Sequence, residues 1–115
     1  MTKIEFDLEE RTAKFAEDSR DYFNKLPKTL SNLKYADQGI RSSGSSAANY
    51  IEANEALSKK DFYMRIKIVK KETKESRLWL RLSEPNPDQE AEKKKLIQEA
   101  TELTKIFSAI LKSNK

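Results

Sequence analysis

Glu72 and Glu75 are the residues of this chain whose spacing first suggests chemistry. Helical bundles that bind two metal ions use glutamates together with a histidine three residues further along the helix. The chain has no histidine and no cysteine, so the commonest transition-metal ligand and the commonest general base are both absent. We therefore expect no metal, no cofactor and no small-molecule substrate. Instead we expect Arg41 to bridge to Glu75, Glu72 or Glu52, because an arginine pairs well with carboxylates.

The serines between residues 42 and 46 are the second feature that could do chemistry. Ser42, Ser43, Ser45 and Ser46 offer hydroxyls, but a serine nucleophile needs an adjacent base. Only lysines and carboxylates are available, and no oxyanion-hole loop is nearby. Small serines are far more common where helices pack, so we assign no catalytic residue and expect the protein not to be an enzyme.

A run of cationic side chains is the third feature. Between residues 58 and 81 the chain has nine basic and three acidic residues, a net charge of +6, whereas the whole chain carries +4. Six of the basic residues share one side of a predicted helix: Lys67, Lys70, Lys71, Lys74, Arg77 and Arg81. Two interpretations remain open, a solvated face or a surface that binds nucleic acid.

Four helices are predicted to position these residues, at about 8–26, 28–57, 59–82 and 88–111. Pro27 ends the first helix and can begin the second, and Ser58 with Asp61 resembles a helix-capping pair. The segment 83–88, with two prolines, is the strongest loop signal. The 115 residues suffice for one domain. We predict an all-α, antiparallel up-down-up-down four-helix bundle over residues 1–115.

The second helix has two stripes with different expected roles. Its inward stripe is predicted from hydrophobic periodicity to comprise Leu33, Ala36, Ile40, Ser43, Gly44, Ala47 and Ile51. Close packing against another helix is expected at Gly44. The adjacent polar stripe comprises Gln38, Arg41, Ser42, Ser45, Asn49 and Glu52. This stripe is either solvated or, joined by Glu72 and Glu75, a structural polar network at an interface.

The third helix carries more apolar residues than one buried face needs. Besides its core stripe it has Met64, Ile68, Trp79 and Leu82 on a second face. A helix in a small bundle buries only one face, so this second face predicts an interface in a homo-oligomer. Contact of Met64 and Trp79 with the fourth helix is the alternative.

The second helix also carries the residues that link this chain to a known family. Gln38, Arg41-Ser42, Ser45, Asn49 and Glu52 resemble the signature helix of the four-helix-bundle proteins encoded in intervening sequences of bacterial 23S ribosomal RNA genes. The resemblance covers about residues 12–83 and includes the Leu26-Pro27 break, the segment 58–62 and the run 79–82. Two positions depart from the family pattern: Ala53 stands where glycine is common, and Ser46 where an aliphatic residue is common.

The resemblance implies more than the residues themselves show. It implies a ring-like homopentamer and, through similar accessory bundle proteins of retroelements, contact with nucleic acid. We therefore expect a non-enzymatic oligomeric bundle whose basic face binds RNA, DNA or a nucleic-acid enzyme. The alternative is a protein–protein interaction scaffold without nucleic-acid binding. The sequence shows no membrane-spanning run or secretory signal, so the expected location is the cytoplasm.

Overall fold

The protein is a bundle of four long helices, as a computed structural model shows for residues 3–114, with side chains described from residue 7. The α-helices are α1 (Lys3–Asn24), α2 (Leu30–Asn54), α3 (Lys59–Leu82) and α4 (Glu90–Lys112), and a 3₁₀ turn (Pro87–Gln89) precedes α4. The predicted all-α class is confirmed. Residues 1, 2 and 115, which the single-domain prediction includes, lie outside the described part. None of the helices described is both long and apolar enough to cross a membrane.

Contacts between the helices define an antiparallel arrangement. Each helix packs against the next one along the chain, and α1 also contacts α4. Arg11 of α1 pairs with Glu99 of α4, whereas Lys25, directly after α1, pairs with the earlier α4 residue Glu92. Between α2 and α3, and between α3 and α4, later residues of one helix likewise contact earlier residues of the other. The predicted up-down-up-down topology is therefore confirmed.

Local chemistry explains where the helices begin and end. Helix α1 begins at Lys3, five residues before the predicted start, because residues 3–7 contain neither proline nor glycine. Helix α2 begins two residues later than predicted, at Leu30, because the Thr29 hydroxyl caps it by accepting from the Asn32 amide at 3.1 Å. The bounds of α3 are those predicted, and Ser58 caps it by accepting from the Asp61 amide at 3.1 Å.

A polar clamp that the sequence analysis missed joins the helix ends near Pro27. The buried side chain of Asn32 donates to the carbonyl oxygens of Pro27 and Glu84, at 3.0 and 2.9 Å, and accepts from the Glu84 amide at 2.9 Å. Close by, the hydroxyls of Tyr22 and Ser83 lie 2.7 Å apart, and burial raises the pKa of Tyr22. These bonds fix the loop after α3 against α1 and α2.

The core is built mainly by α1, α3 and α4. Its largest buried side chains are aromatic or aliphatic: Phe15, Tyr22, Phe23, Tyr50, Ile66, Leu80, Leu103 and Phe107. Helix α2 contributes mostly small or polar side chains, namely Asn32, Gly39, Ser42, Ser43, Ser46, Tyr50 and Ala53. Large side chains from the neighbouring helices therefore occupy the space beside α2.

The predicted inward stripe of α2 is wrong in three places. Leu33 and Ile51 are each half exposed, and Gly44 is exposed. The close approach occurs instead at Gly39, where an added Cβ would overlap the buried ring of Phe23 from α1. At Gly44 an added Cβ would meet no atom within 4 Å. The face that packs is thus the one with the smallest side chains, because only that face fits beside the aromatic rings.

Candidate functional site

The basic face of α3 consists of the six predicted cationic side chains, and the structure brings them together. Lys67, Lys71, Lys74 and Arg81 are exposed, while Lys70 and Arg77 are half-buried. Arg77 donates through Nη1 to the Thr101 hydroxyl of α4 at 3.4 Å, which places this edge of the face beside α4. The face therefore lies along the outside of α3 on its α4 side.

The basic face has no carboxylate partner among the side chains that the structure describes. None of its six side chains forms an ion pair with a carboxylate in residues 7–114, where side chains are described. Elsewhere several cations are paired: Arg11 with Glu99, Lys14 with Asp18, and Lys25 with Glu92. A line of unpaired cations on one helix produces a positive potential that attracts polyanions.

The predicted polar network exists as two separate clusters on the opposite side of α3, next to α2. In one, Arg41 contacts Glu72 at 3.2 Å and Glu75 at 3.7 Å. In the other, the Asn49 amide donates to the Ser45 carbonyl and hydroxyl at 2.9 and 3.1 Å. Its Oδ1 accepts from Arg65 at 3.0 Å. These contacts tie the polar stripe of α2 to α3.

Two residues that were predicted to belong to the polar network are not part of it, and two residues that were not predicted do belong to it. Gln38 and Glu52 make no side-chain hydrogen bond with the described part of the chain, and Glu52 is exposed, so Arg41 does not bridge to it. Arg65 and Ser76 were not predicted; Ser76 shares a buried 2.8 Å hydrogen bond with Ser42. Arg65 could have been found, because it lies seven residues before Glu72 and hence on the same side of α3.

Arg41→Ala is expected to lower the free energy of unfolding by about 1 kcal/mol. The Glu72 side chain is only 6% exposed, and Arg41 supplies its ion pair, so the truncation leaves a buried carboxylate unpaired. Arg41 itself is half exposed, which weakens the interaction through solvent screening. Thermal or urea unfolding measures the change.

Glu75→Gln is the matched control for Arg41→Ala. Its contact with Arg41 is longer, and 38% of its side chain is exposed, so we expect a loss below about 0.5 kcal/mol. Equal stabilities of Arg41→Ala and wild type would show that Glu72 does not depend on its arginine.

The buried serines act in packing. The hydroxyls of Ser43 and Ser46 donate to carbonyl oxygens three residues earlier in α2, at 3.3 and 2.7 Å. The Ser42 hydroxyl lies 3.3 Å from the Gly39 carbonyl oxygen but closer, at 2.8 Å, to the Ser76 hydroxyl. Thr73 and Ser76 in α3 make the corresponding bonds four residues back, at 2.7 and 2.9 Å. A hydroxyl that bonds to its own helix can be buried without a partner on the neighbouring helix.

The predicted oligomer interface of α3 is partly exposed in the protomer. Met64 is 52% and Leu82 42% exposed, and Ile68 is half-buried. Trp79 packs on the core and stacks on Tyr35 of α2, with ring centroids 6.2 Å apart. Its buried Nε1 has no hydrogen-bond partner among the described residues. The ring contact shown for Trp79 is thus with α2, and contact of Met64 and Trp79 with α4 stays a prediction.

Further apolar side chains are exposed near the two ends of the bundle. Leu78 accompanies Leu82 near the end of α3, and the antiparallel packing places the start of α2, with Leu30 and Leu33, at the same end of the bundle. Ile51 and Leu57 are exposed at the other end, where Met64 lies. We call the four predicted residues and Leu78, which share one side of α3, the outer apolar surface. Exposed apolar side chains grouped on one side of a helix are typical of interaction surfaces.

The chain is similar in sequence and fold to a solved structure. No protein-family model matches the sequence, and no curated protein matches it. A solved structure that is similar belongs to a protein of unknown function from the S23 ribosomal protein family of Bacteroides thetaiotaomicron. The two chains are 26% identical, with a TM-score of 0.77, over 91% of this chain and 98% of the other. The similarity thus includes the sequence as well as the fold and covers nearly all of both chains.

Proposed function

We propose that this protein is a non-enzymatic, oligomeric helical bundle that binds RNA or DNA, or an enzyme that acts on nucleic acid, through the basic face of α3. The observation that carries the proposal is the absence of any carboxylate partner for that face among the described side chains. Lysines that neutralise phosphates release the counterions around them, which makes such binding favourable and dependent on salt. The proposed location is the cytoplasm.

The family relationship supports the same proposal. The signature residues of α2 resemble the signature helix of the proteins encoded in 23S ribosomal RNA intervening sequences. The similar solved structure carries a ribosomal protein family name. On this basis we propose kinship with the intervening-sequence proteins. A homopentamer is the assembly that this kinship implies, and the outer apolar surface offers side chains for its subunit contacts.

Repetition of the basic face around a ring would strengthen binding. Each protomer presents the face along one helix, so a pentamer would present five copies. Several weak contacts on one polynucleotide act together, because the first raises the effective concentration for the others. Contacts between lysine and phosphate carry no direct sequence information, so we expect little base specificity from this face.

Reversing the charge of Lys70, Lys71 and Lys74 to glutamate is expected to weaken polynucleotide binding at least tenfold at low salt. The wild-type affinity should fall linearly with salt on logarithmic axes, with a slope of about 0.7–0.9 for each phosphate neutralised. The triple variant should have a shallower slope, because it makes fewer phosphate contacts. Fluorescence anisotropy at several salt concentrations measures both quantities, and circular dichroism checks that the helices persist.

The matched control changes Lys34, Lys94 and Lys105 to glutamate. These lysines are exposed on α2 and α4, and the change in net charge is the same. The control should retain most of the affinity. Equal losses in the two triple variants would mean that net charge rather than the basic face determines binding.

The second candidate function is a protein–protein interaction scaffold without nucleic-acid binding. The outer apolar surface favours it, because half-exposed leucines, isoleucine and methionine suit a protein partner better than a phosphate backbone. Wild-type protein that binds neither single- nor double-stranded polynucleotide at low salt would support this candidate over the first.

A further inference from the structure

A cavity of about 510 Å³ at the start of α3 combines cationic side chains with an aromatic ring. Its lining consists of Lys59, Lys60, Tyr63, Met64, Lys67 and Asn114. Three of these side chains are ammonium groups, and the part of the lining that the structure describes contains no carboxylate. The cavity therefore favours a ligand that carries negative charge.

The Tyr63 ring in this cavity is held in place by its neighbours. Phe62 packs nearly perpendicular to it, with ring centroids 5.1 Å apart, and the Tyr63 hydroxyl lies 3.2 Å from the Ser113 hydroxyl at the end of α4. The Lys59 ammonium lies over the ring, 6.0 Å from its centroid. Because the side chain is only half-buried, a planar group can reach the ring from solvent.

The cavity also continues the basic face. Lys60, Tyr63, Lys67, Lys70 and Lys74 follow one another at intervals of three or four residues, so they occupy one side of α3. Lys67 belongs both to the cavity and to the basic face. A chain of phosphates that runs along the basic face would thus reach Tyr63 at the first turns of the helix.

We infer that this cavity accepts one unpaired base of a single-stranded nucleic acid, stacked on Tyr63, with the adjoining phosphates on Lys59, Lys60 and Lys67. The inference rests on the proposed function and specifies its ligand. Aromatic side chains stack on bases that are free of a duplex, whereas bases in a duplex have both faces covered by neighbouring pairs. Among the residues that point to the basic side of α3, Tyr63 is the aromatic one.

The experiment compares two labelled single strands of equal length and phosphate number, one with bases and one fully abasic. Stacking of a base on an aromatic side chain is worth about five- to 140-fold in affinity, so the wild type should bind the strand with bases at least about fivefold more tightly. Tyr63→Ala should remove this preference and leave binding of the abasic strand unchanged. Tyr63→Phe keeps the ring and should retain the preference, although it loses the contact with Ser113.

The Lys70, Lys71 and Lys74 charge-reversal variant separates the two proposals. It should weaken binding of both strands by a similar factor, because it removes phosphate contacts alone. Equal binding of the two strands by wild type would overturn the Tyr63 inference and leave the proposed function standing. Failure of wild type to bind either single strand would overturn the Tyr63 inference, and failure to bind double-stranded polynucleotide as well would overturn binding of RNA or DNA by the basic face.

A measurement on the unmodified chain tests the inference even if Tyr63→Ala does not fold. Ring proton signals of Tyr63 should move upfield by nuclear magnetic resonance when the strand with bases is added. The abasic strand should not shift them upfield in this way. Unchanged Tyr63 signals with a bound strand would place the bases elsewhere and overturn the inference.

Discussion

Gly39→Ala is expected to lower the free energy of unfolding by about 2 kcal/mol. The added Cβ would overlap Cε2 and Cζ of the Phe23 ring, which is almost fully buried and has little room to move. Overpacking of this kind costs about 1–3 kcal/mol, and the better helix propensity of alanine offsets about 1 kcal/mol of the upper value. For a chain of this size the loss corresponds to a fall in melting temperature of about 8 °C. Thermal unfolding followed by circular dichroism measures it.

Gly44→Ala is the matched control, five residues along the same helix. Nothing lies within 4 Å of the added Cβ, so the variant should gain about 0.5–1 kcal/mol from helix propensity alone. The two substitutions should therefore shift the melting temperature in opposite directions. Destabilisation by both would mean that another subunit covers the outer side of α2, and stabilisation by both would show that α1 does not approach α2 closely at Gly39.

Trp79→Ala is expected to cost about 3 kcal/mol of stability and to shift the size-exclusion profile toward smaller species. The ring packs on the core and stacks on Tyr35, and loss of a large buried aromatic costs about 3–5 kcal/mol. Because Trp79 is partly exposed in the protomer, we expect a loss of stability at the lower end of this range. The shift in size follows from the proposed oligomer, because Trp79 belongs to the outer apolar surface.

Two further variants separate folding from assembly at this position. Trp79→Phe keeps an aromatic ring and removes the unpaired N–H, so stability and assembly should both stay close to wild type. The double variant Met64→Ser, Leu82→Ser should disrupt assembly at little cost in stability, since both side chains are about half exposed. A monomeric wild type would refute the oligomer proposal outright.

Local chemistry made the helices predictable. Pro27 marks the first break and Ser58 caps α3 through the backbone amide of Asp61, so these features depend on residues close together in sequence. The basic face was predictable for the same reason, because one helix carries all six of its residues. Arg41 could be paired with Glu72 and Glu75 once antiparallel neighbours were assumed.

The orientation of α2 was not predictable from its own residues. A helical wheel ranks the faces of a helix by hydrophobicity, so it predicted that Leu33 and Ile51 point into the core. The structure turns the glycine and serine face inward instead, because the volume of Phe23 and of other core aromatic rings determines which face of α2 can approach. The clamp around Asn32 was missed because its partners Pro27 and Glu84 are brought together only by tertiary packing.

The buried hydroxyls of α2 have a consequence for how this sequence can change over evolutionary time. Ser43 and Ser46 satisfy their hydrogen-bonding needs within their own helix, so the neighbouring helices depend on their size and not on their polarity. Alanine at either site would leave no polar group of the neighbouring helix without a hydrogen-bond partner, whereas leucine or phenylalanine would force the helices apart. Neutral substitutions at these positions can therefore change the polarity of the side chain, but they must keep its volume small. Divergent relatives could therefore keep this bundle with other small residues at these two positions of α2.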